Sequence, residues 1–193
     1  MFKSFKVFWS RLFTPSNQLP LVILDLKTTG LGIHNNNLLE IGLIAVDKHL
    51  AIKQTLTIPV KLNGRAHWGE AAAKVHKITE EAARKQGVEL SEALNMVDDF
   101  LNENYDETPI PVGFNPNFDM KLIETAYEKK KRKHPFSHTV YDLNTVGKYL
   151  FNINSSRFLV PHLGIEVDED KKHSALYDCE LALKTLRRLE RIK

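Results

Sequence analysis

Four consecutive aliphatic residues, Leu21, Val22, Ile23 and Leu24, run straight into a carboxylate, Asp25. An uninterrupted apolar run this short reads as a strand buried on both faces, hence a central one. Residues 39–46 and 54–60 are two further strand candidates, separated by the turn-like Asp47-Lys48-His49. Connections this short impose an antiparallel meander. The chain then turns helical. Residues 79–85 open on a Thr cap, and residues 91–102 place Leu94, Val97 and Leu101 on one side. Strand-like composition returns at 110–114, where Pro111 marks a boundary or an edge. Residues 118–133 read as a helix with Leu122, Ile123 and Ala126 inward, 139–142 as a short strand and 143–150 as a helix. Last comes a long amphipathic helix through Ala175, Cys179, Ala182, Leu183, Leu186 and Leu189. Ser174 is its N-cap, which puts Asp178 in the first turn and His173 just outside. Hairpin strands followed by strand–helix units give an α/β domain with a mixed sheet covered by helices.

At 193 residues and 22.1 kDa the chain is the size of one large domain. Its 42% hydrophobic and 26% charged content excludes a disordered protein. A single cysteine, Cys179, excludes an internal disulfide framework and a thiolate zinc cluster. The net charge of +3 weakly favours an anionic partner. The run Lys129-Lys130-Lys131-Arg132-Lys133 reads as a solvated helix end, and Lys171-Lys172, next to His173, as a solvated loop. Residues 1–20 differ from the rest, with Phe2, Phe5, Phe8, Trp9, Leu12 and Phe13 on a helical stripe among Lys3, Lys6 and Arg11. We read them as a basic, aromatic arm and linker ahead of a domain spanning 21–193. The arm either docks on a membrane surface or partner or folds back on its own domain. Basic residues interrupt its apolar stretch, which argues against a secretory signal and makes a cytoplasmic setting the default.

Three acids take telling positions: Asp25 at the end of a buried strand, Asp119 at the start of one helix and Asp178 at the start of another. Carboxylates so placed can converge at one sheet edge, and hard oxygen donors suit Mg²⁺ or Mn²⁺. Taken singly, each is no more than a helix-end or capping carboxylate. The local sequences add to this. Asp25-Leu26-Lys27-Thr28-Thr29-Gly30, Asn115-Pro116-Asn117-Phe118-Asp119 and His173 with Asp178 five residues on resemble, in order, the three motifs of the DEDDh 3′→5′ exonucleases. This is the DnaQ-like group that includes polymerase proofreading subunits and RNase T. Val75-His76-Lys77-Ile78-Thr79 and Val140-Tyr141-Asp142 are similar to further family segments.

The resemblance implies an RNase H-like fold with a five-stranded sheet and hydrolysis of phosphodiesters at the 3′ ends of single-stranded DNA or RNA. In that scheme Asp25 bridges two divalent ions, Asp178 completes the first site, Asp119 supports the second through water, and His173 is the general base. Thr28, Thr29 and Gly30 would meet the terminal nucleotide, with His76, Phe114 and Asn115 as further substrate-side candidates; Phe114 stands where many relatives carry His. A DNA polymerase is an implied partner, and homodimerisation is left open.

One residue departs from the pattern. Lys27 stands where the family carries a metal-ligating Glu. An ammonium has no lone pair to offer and repels a cation. Asp25, Lys27, Asp119 and Asp178 carry a net −2, enough to balance one divalent ion and not two. Three readings stand: an exonuclease with weakened metal binding, helped by a further carboxylate such as Glu40; a catalytically silent nucleic-acid-binding or replisome-docking module that still binds a 3′ end, with the Lys27 ammonium standing in for one cation against a phosphate; or a substitution in this chain of an otherwise ordinary enzyme. Two residues on from Asp25, Lys27 is expected on the same side of the strand.

Overall fold

The computed structural model describes residues 19–30, 32, 37–64, 68–171 and 174–192. Of the arm and linker read over residues 1–20, residues 1–18 lie outside the described residues, as does His173 with the role given to it.

The central run becomes β1 (Leu21–Thr28), followed by β2 (Leu38–Val46) and β3 (Ile52–Pro59). These three form the expected meander, β1 antiparallel to β2 and β2 to β3. Three helices come next, α1 (Glu70–His76), α2 (Glu80–Lys85) and α3 (Leu90–Asn104). Then β4 (Ile110–Gly113) leads into α4 (Pro116–Lys129), and β5 (Tyr141–Asp142) into α5 (Leu143–Phe151). The described chain ends with α6 (Ser156–His162) and α7 (Ala175–Glu190). The sheet order is β3-β2-β1-β4-β5, with β4 parallel to β1 and β5 parallel to β4. This is a mixed α/β sheet flanked by helices, consistent with the RNase H-like fold.

Strand alternation sorts β1 between two cores. Val22, Leu24 and Leu26 pack with Leu94, Val97 and Phe100 of α3 and Ile123 and Tyr127 of α4. Leu21 and Ile23 face the opposite way, against Cys179, Ala182, Leu183 and Leu186 of α7. Asp25 and Lys27 continue this second row, so β1 aims both at the α7 side of the sheet. Tyr105, just past α3, ties the start of β1 to the end of β2. Its hydroxyl donates to the Leu21 carbonyl at 2.5 Å and accepts from the Val46 N–H at 3.1 Å.

Several boundaries differ from the sequence reading. Asp25 does not end its strand, because pairing with β2 carries β1 on to Thr28. Its parallel partner stops earlier, at the Ile23–Val112 pair, so Asp25 and Lys27 run past β4 and open a cleft there. α4 ends at Lys129, four residues short of expectation, and Lys131 takes a positive φ of 56°. Arg132 explains the stop. It turns back to donate to Asn95 and Asp98 on α3, so the basic run is not wholly a solvated end. Helices α1 and α6 carry no long apolar stripe and went unread. The Thr79 and Ser174 caps form as expected, accepting from Ala82 N–H and Tyr177 N–H. No helix among the described residues is long and apolar enough to cross a membrane.

Candidate active site

Gly42 on β2 lies across the ladder from Asp25. A Cβ there would stand 2.6 Å from the Ala175 backbone, so the missing side chain lets the first turn of α7 lie directly on β2. Glu40, paired with Lys27 in the same ladder, accepts the Ala175 N–H at 2.6 Å. Carboxylates suit helix N-termini, where amide donors are unpaired. Glu40 therefore helps Ser174 hold the start of α7 through a backbone contact. Seated this way, α7 projects Asp178 toward β1.

Lys27 bridges the two elements. Its Nζ donates to Asp25 Oδ2 at 2.7 Å and to Asp178 Oδ2 at 2.5 Å, with the residue 9% exposed. Asp119, in the first turn of α4, reaches the site from the other side of β1, its Oδ1 accepting the Leu26 N–H at 3.1 Å. Lys27 thus ties together two aspartates far apart in sequence, Asp25 and Asp178, while Asp119 holds the β1 backbone beside them at Leu26.

The charges explain one another. Burial pushes the Asp25 carboxyl up to about 7, with Lys27 pulling it down and Asp178 and Glu40 adding to the rise. Burial and the neighbouring Asp25 charge likewise hold Asp119 well above the carboxylate range, against the Leu26 N–H. For Lys27, burial works downward, yet the charges of Asp25 and Asp178 outweigh it and raise its pKa above the ordinary lysine value. The ammonium is the counterion shared by Asp25 and Asp178. It occupies the direction in which Asp25 and Asp178 would meet a metal, so the donor set does not fit a pair of divalent ions while Lys27 lies between them.

Beside this cluster opens a cleft of about 930 Å³, lined by Asp25, Asp178, Phe114, Ser156 and Arg157 among others. Phe114 packs into two apolar clusters and presents the rest of its side chain to the cleft. The other sequence candidates are placed differently. Thr28 is buried with its hydroxyl donating to the Gly30 carbonyl at 2.7 Å, and Thr29 Oγ1 accepts from Asn37 N–H. The Thr29 carbonyl accepts Gly69 N–H at 2.8 Å, so the segment leading into α1 backs the turn before Gly30. His76 is buried in the last turn of α1, edge-on to Trp68, its Nδ1 accepting from Ile78 N–H. Asn115, at φ 61°, caps α4 and lines a neighbouring groove with Asp142, Lys148 and Tyr149. Arg157 and Ser156 were missed in the sequence because a short helix without periodicity gave no sign that it would wall the cleft.

The folded chain resembles solved nucleases. The zinc-ion-bound complex of E. coli ExoI with single-stranded DNA superposes with a TM-score of 0.77 at 15% identity, over 90% of this chain and 41% of that one. E. coli exonuclease I bound to a 5cy-dT13 oligonucleotide gives 0.76 at 15%, with 90% and 41% covered. The nuclease domain of 3′hExo, a DEDDh family member bound to rAMP, gives 0.73 at 15%, with 89% and 92% covered. This chain thus spans about 41% of the length of the exonuclease I chains it matches, and identities this low speak to fold alone. No curated protein matches it in sequence. The RNase T family, described as exonuclease, matches residues 22–186. That span holds all three aspartates and Lys27, and the chain belongs to this exonuclease family.

Proposed function

We propose that this chain is a DEDDh-type 3′→5′ exonuclease domain that receives nucleic-acid 3′ ends in the cleft beside Asp25 and Asp178, with hydrolysis suppressed by Lys27. One observation carries the reading: the Lys27 ammonium is within 2.7 Å of Asp25 and 2.5 Å of Asp178, where the family's chemistry needs a divalent cation. With Lys27 in place the chain's own residues bind and orient. Lys27 has three N–H donors and spends two on aspartates, leaving one for a phosphate oxygen. Arg157 adds a second positive charge on the cleft wall, and Phe114 offers an apolar face to a base. His173 keeps the general-base role that the motif implies. Replacing Lys27 by Glu exchanges the tethered cation for a ligand, and the resulting set of four carboxylates suits Mg²⁺ or Mn²⁺.

End-labelled single strands incubated with Mn²⁺ test this. The expected result is salt-sensitive binding with little or no shortening by the native chain, and 3′ trimming by Lys27→Glu. Binding by neither protein, or Lys27→Glu trimming no faster than the native chain, would contradict the proposal.

A further inference from the structure

A second set of metal-ligating side chains lies away from the aspartates. Glu124 on α4 meets His134 and His138, both in the segment between α4 and β5, and one donor atom from each lies within 4.8 Å of the others. The histidines stand four residues apart, a spacing used by zinc-binding pairs. His134 Nε2 is 3.4 Å and His138 Nδ1 3.9 Å from the same oxygen, Glu124 Oε1. Good hydrogen bonds fall at 2.7–3.2 Å, so both approaches are long for direct bonds. They are close to the ligand–ligand separation of roughly 3.4 Å expected when donors sit about 2.1 Å from a tetrahedral ion. The two rings meet edge-on, at 85° with centroids 5.2 Å apart, so they do not stack. His134 is buried beside Phe136, with their rings stacked at 6.4 Å, which fixes one ligand in place. His138 is exposed, which leaves one side of the set open to a water.

We propose that Glu124, His134 and His138 bind one divalent transition ion of the zinc class, clipping the segment after α4 back onto that helix. Two imidazoles and one carboxylate suit Zn²⁺ or Co²⁺ far better than Mg²⁺. The site also has a chemical marker. Phe136 N–H donates to His134 Nδ1 at 3.3 Å, so the metal-free neutral ring carries its proton on Nε2, facing Glu124. Ligation through Nε2 moves that proton to Nδ1 and gives up the long bond from Phe136.

Co²⁺ titration of the full chain, read by visible absorption, should give one ion per chain with four-coordinate bands that Zn²⁺ bleaches. The all-oxygen aspartate pocket produces no such bands. His138→Ala, at an exposed position, should keep the metal-free melting temperature and bind at least tenfold more weakly; Glu124→Gln should weaken binding as well. In ring-nitrogen NMR, Zn²⁺ should convert His134 from the Nε2–H to the Nδ1–H tautomer. Unchanged His134 and His138 signals at saturating Zn²⁺, or equal Zn²⁺ affinity in the native chain and both variants, would overturn the proposal.

Discussion

Replacing Lys27 by Met removes the ammonium while keeping most of the aliphatic stem. Asp25 and Asp178 then lose ion pairs of 2.7 and 2.5 Å, and nothing of opposite charge takes their place. Breaking a buried pair by deleting one partner costs about 3–5 kcal/mol. Both aspartates keep some exposure to the cleft, 29% and 20% of their side chains, so the low end applies, about 3 kcal/mol at pH 8. For a chain of this size that lowers Tm by roughly 6–12 °C. The pH dependence has a definite sign. The Asp25 carboxyl is already raised to about 7, and it rises further without Lys27. A carboxylate raised in the fold stabilises it below the ordinary carboxylate pKa and loses that contribution as pH climbs through the folded value. Protonation relieves the variant first, so the gap between native and variant is widest at pH 8 and narrows toward pH 5. Urea unfolding in EDTA at both pH values measures it. A destabilisation that is as large at pH 5, or absent at pH 8, would refute the counterion argument.

Three other outcomes follow from the packing and the cleft. Gly42→Ala puts a Cβ against the Ala175 backbone and should cost about 1–3 kcal/mol in urea unfolding, displacing the α7 turn that carries Asp178. Tyr105→Phe leaves the Val46 N–H without its hydroxyl acceptor and should cost about 1–3 kcal/mol, checked by the same assay. Arg157→Ala should weaken single-strand binding across sequences and reduce the slope of log affinity against log salt by about 1 in filter binding.

The legible part of the fold was the part written in uninterrupted apolar runs. β1 and β2 could be read because both faces of the central sheet are covered, and α7 because its stripe follows one helical period. The α4 boundary was misread because Lys129 to Lys133 carry helix-compatible residues; the turn is set by Arg132 reaching α3, a contact 34 residues distant in sequence. In the site, the shared side of Asp25 and Lys27 followed from strand alternation. The role of Glu40 did not, since its backbone partner belongs to Ala175, 135 residues on. The triad of Glu124, His134 and His138 was equally silent, because it depends on how the segment after α4 folds back over the helix.

The central claim is that Lys27 holds the place of a cation. Mn²⁺ titration calorimetry tests it most directly, with the native chain and Lys27→Glu compared in a His138→Ala background to silence the second set of ligands. The account predicts at most one weakly held ion per chain while Lys27 is present and two ions per chain in Lys27→Glu. Two ions bound by both proteins with similar affinity would contradict it.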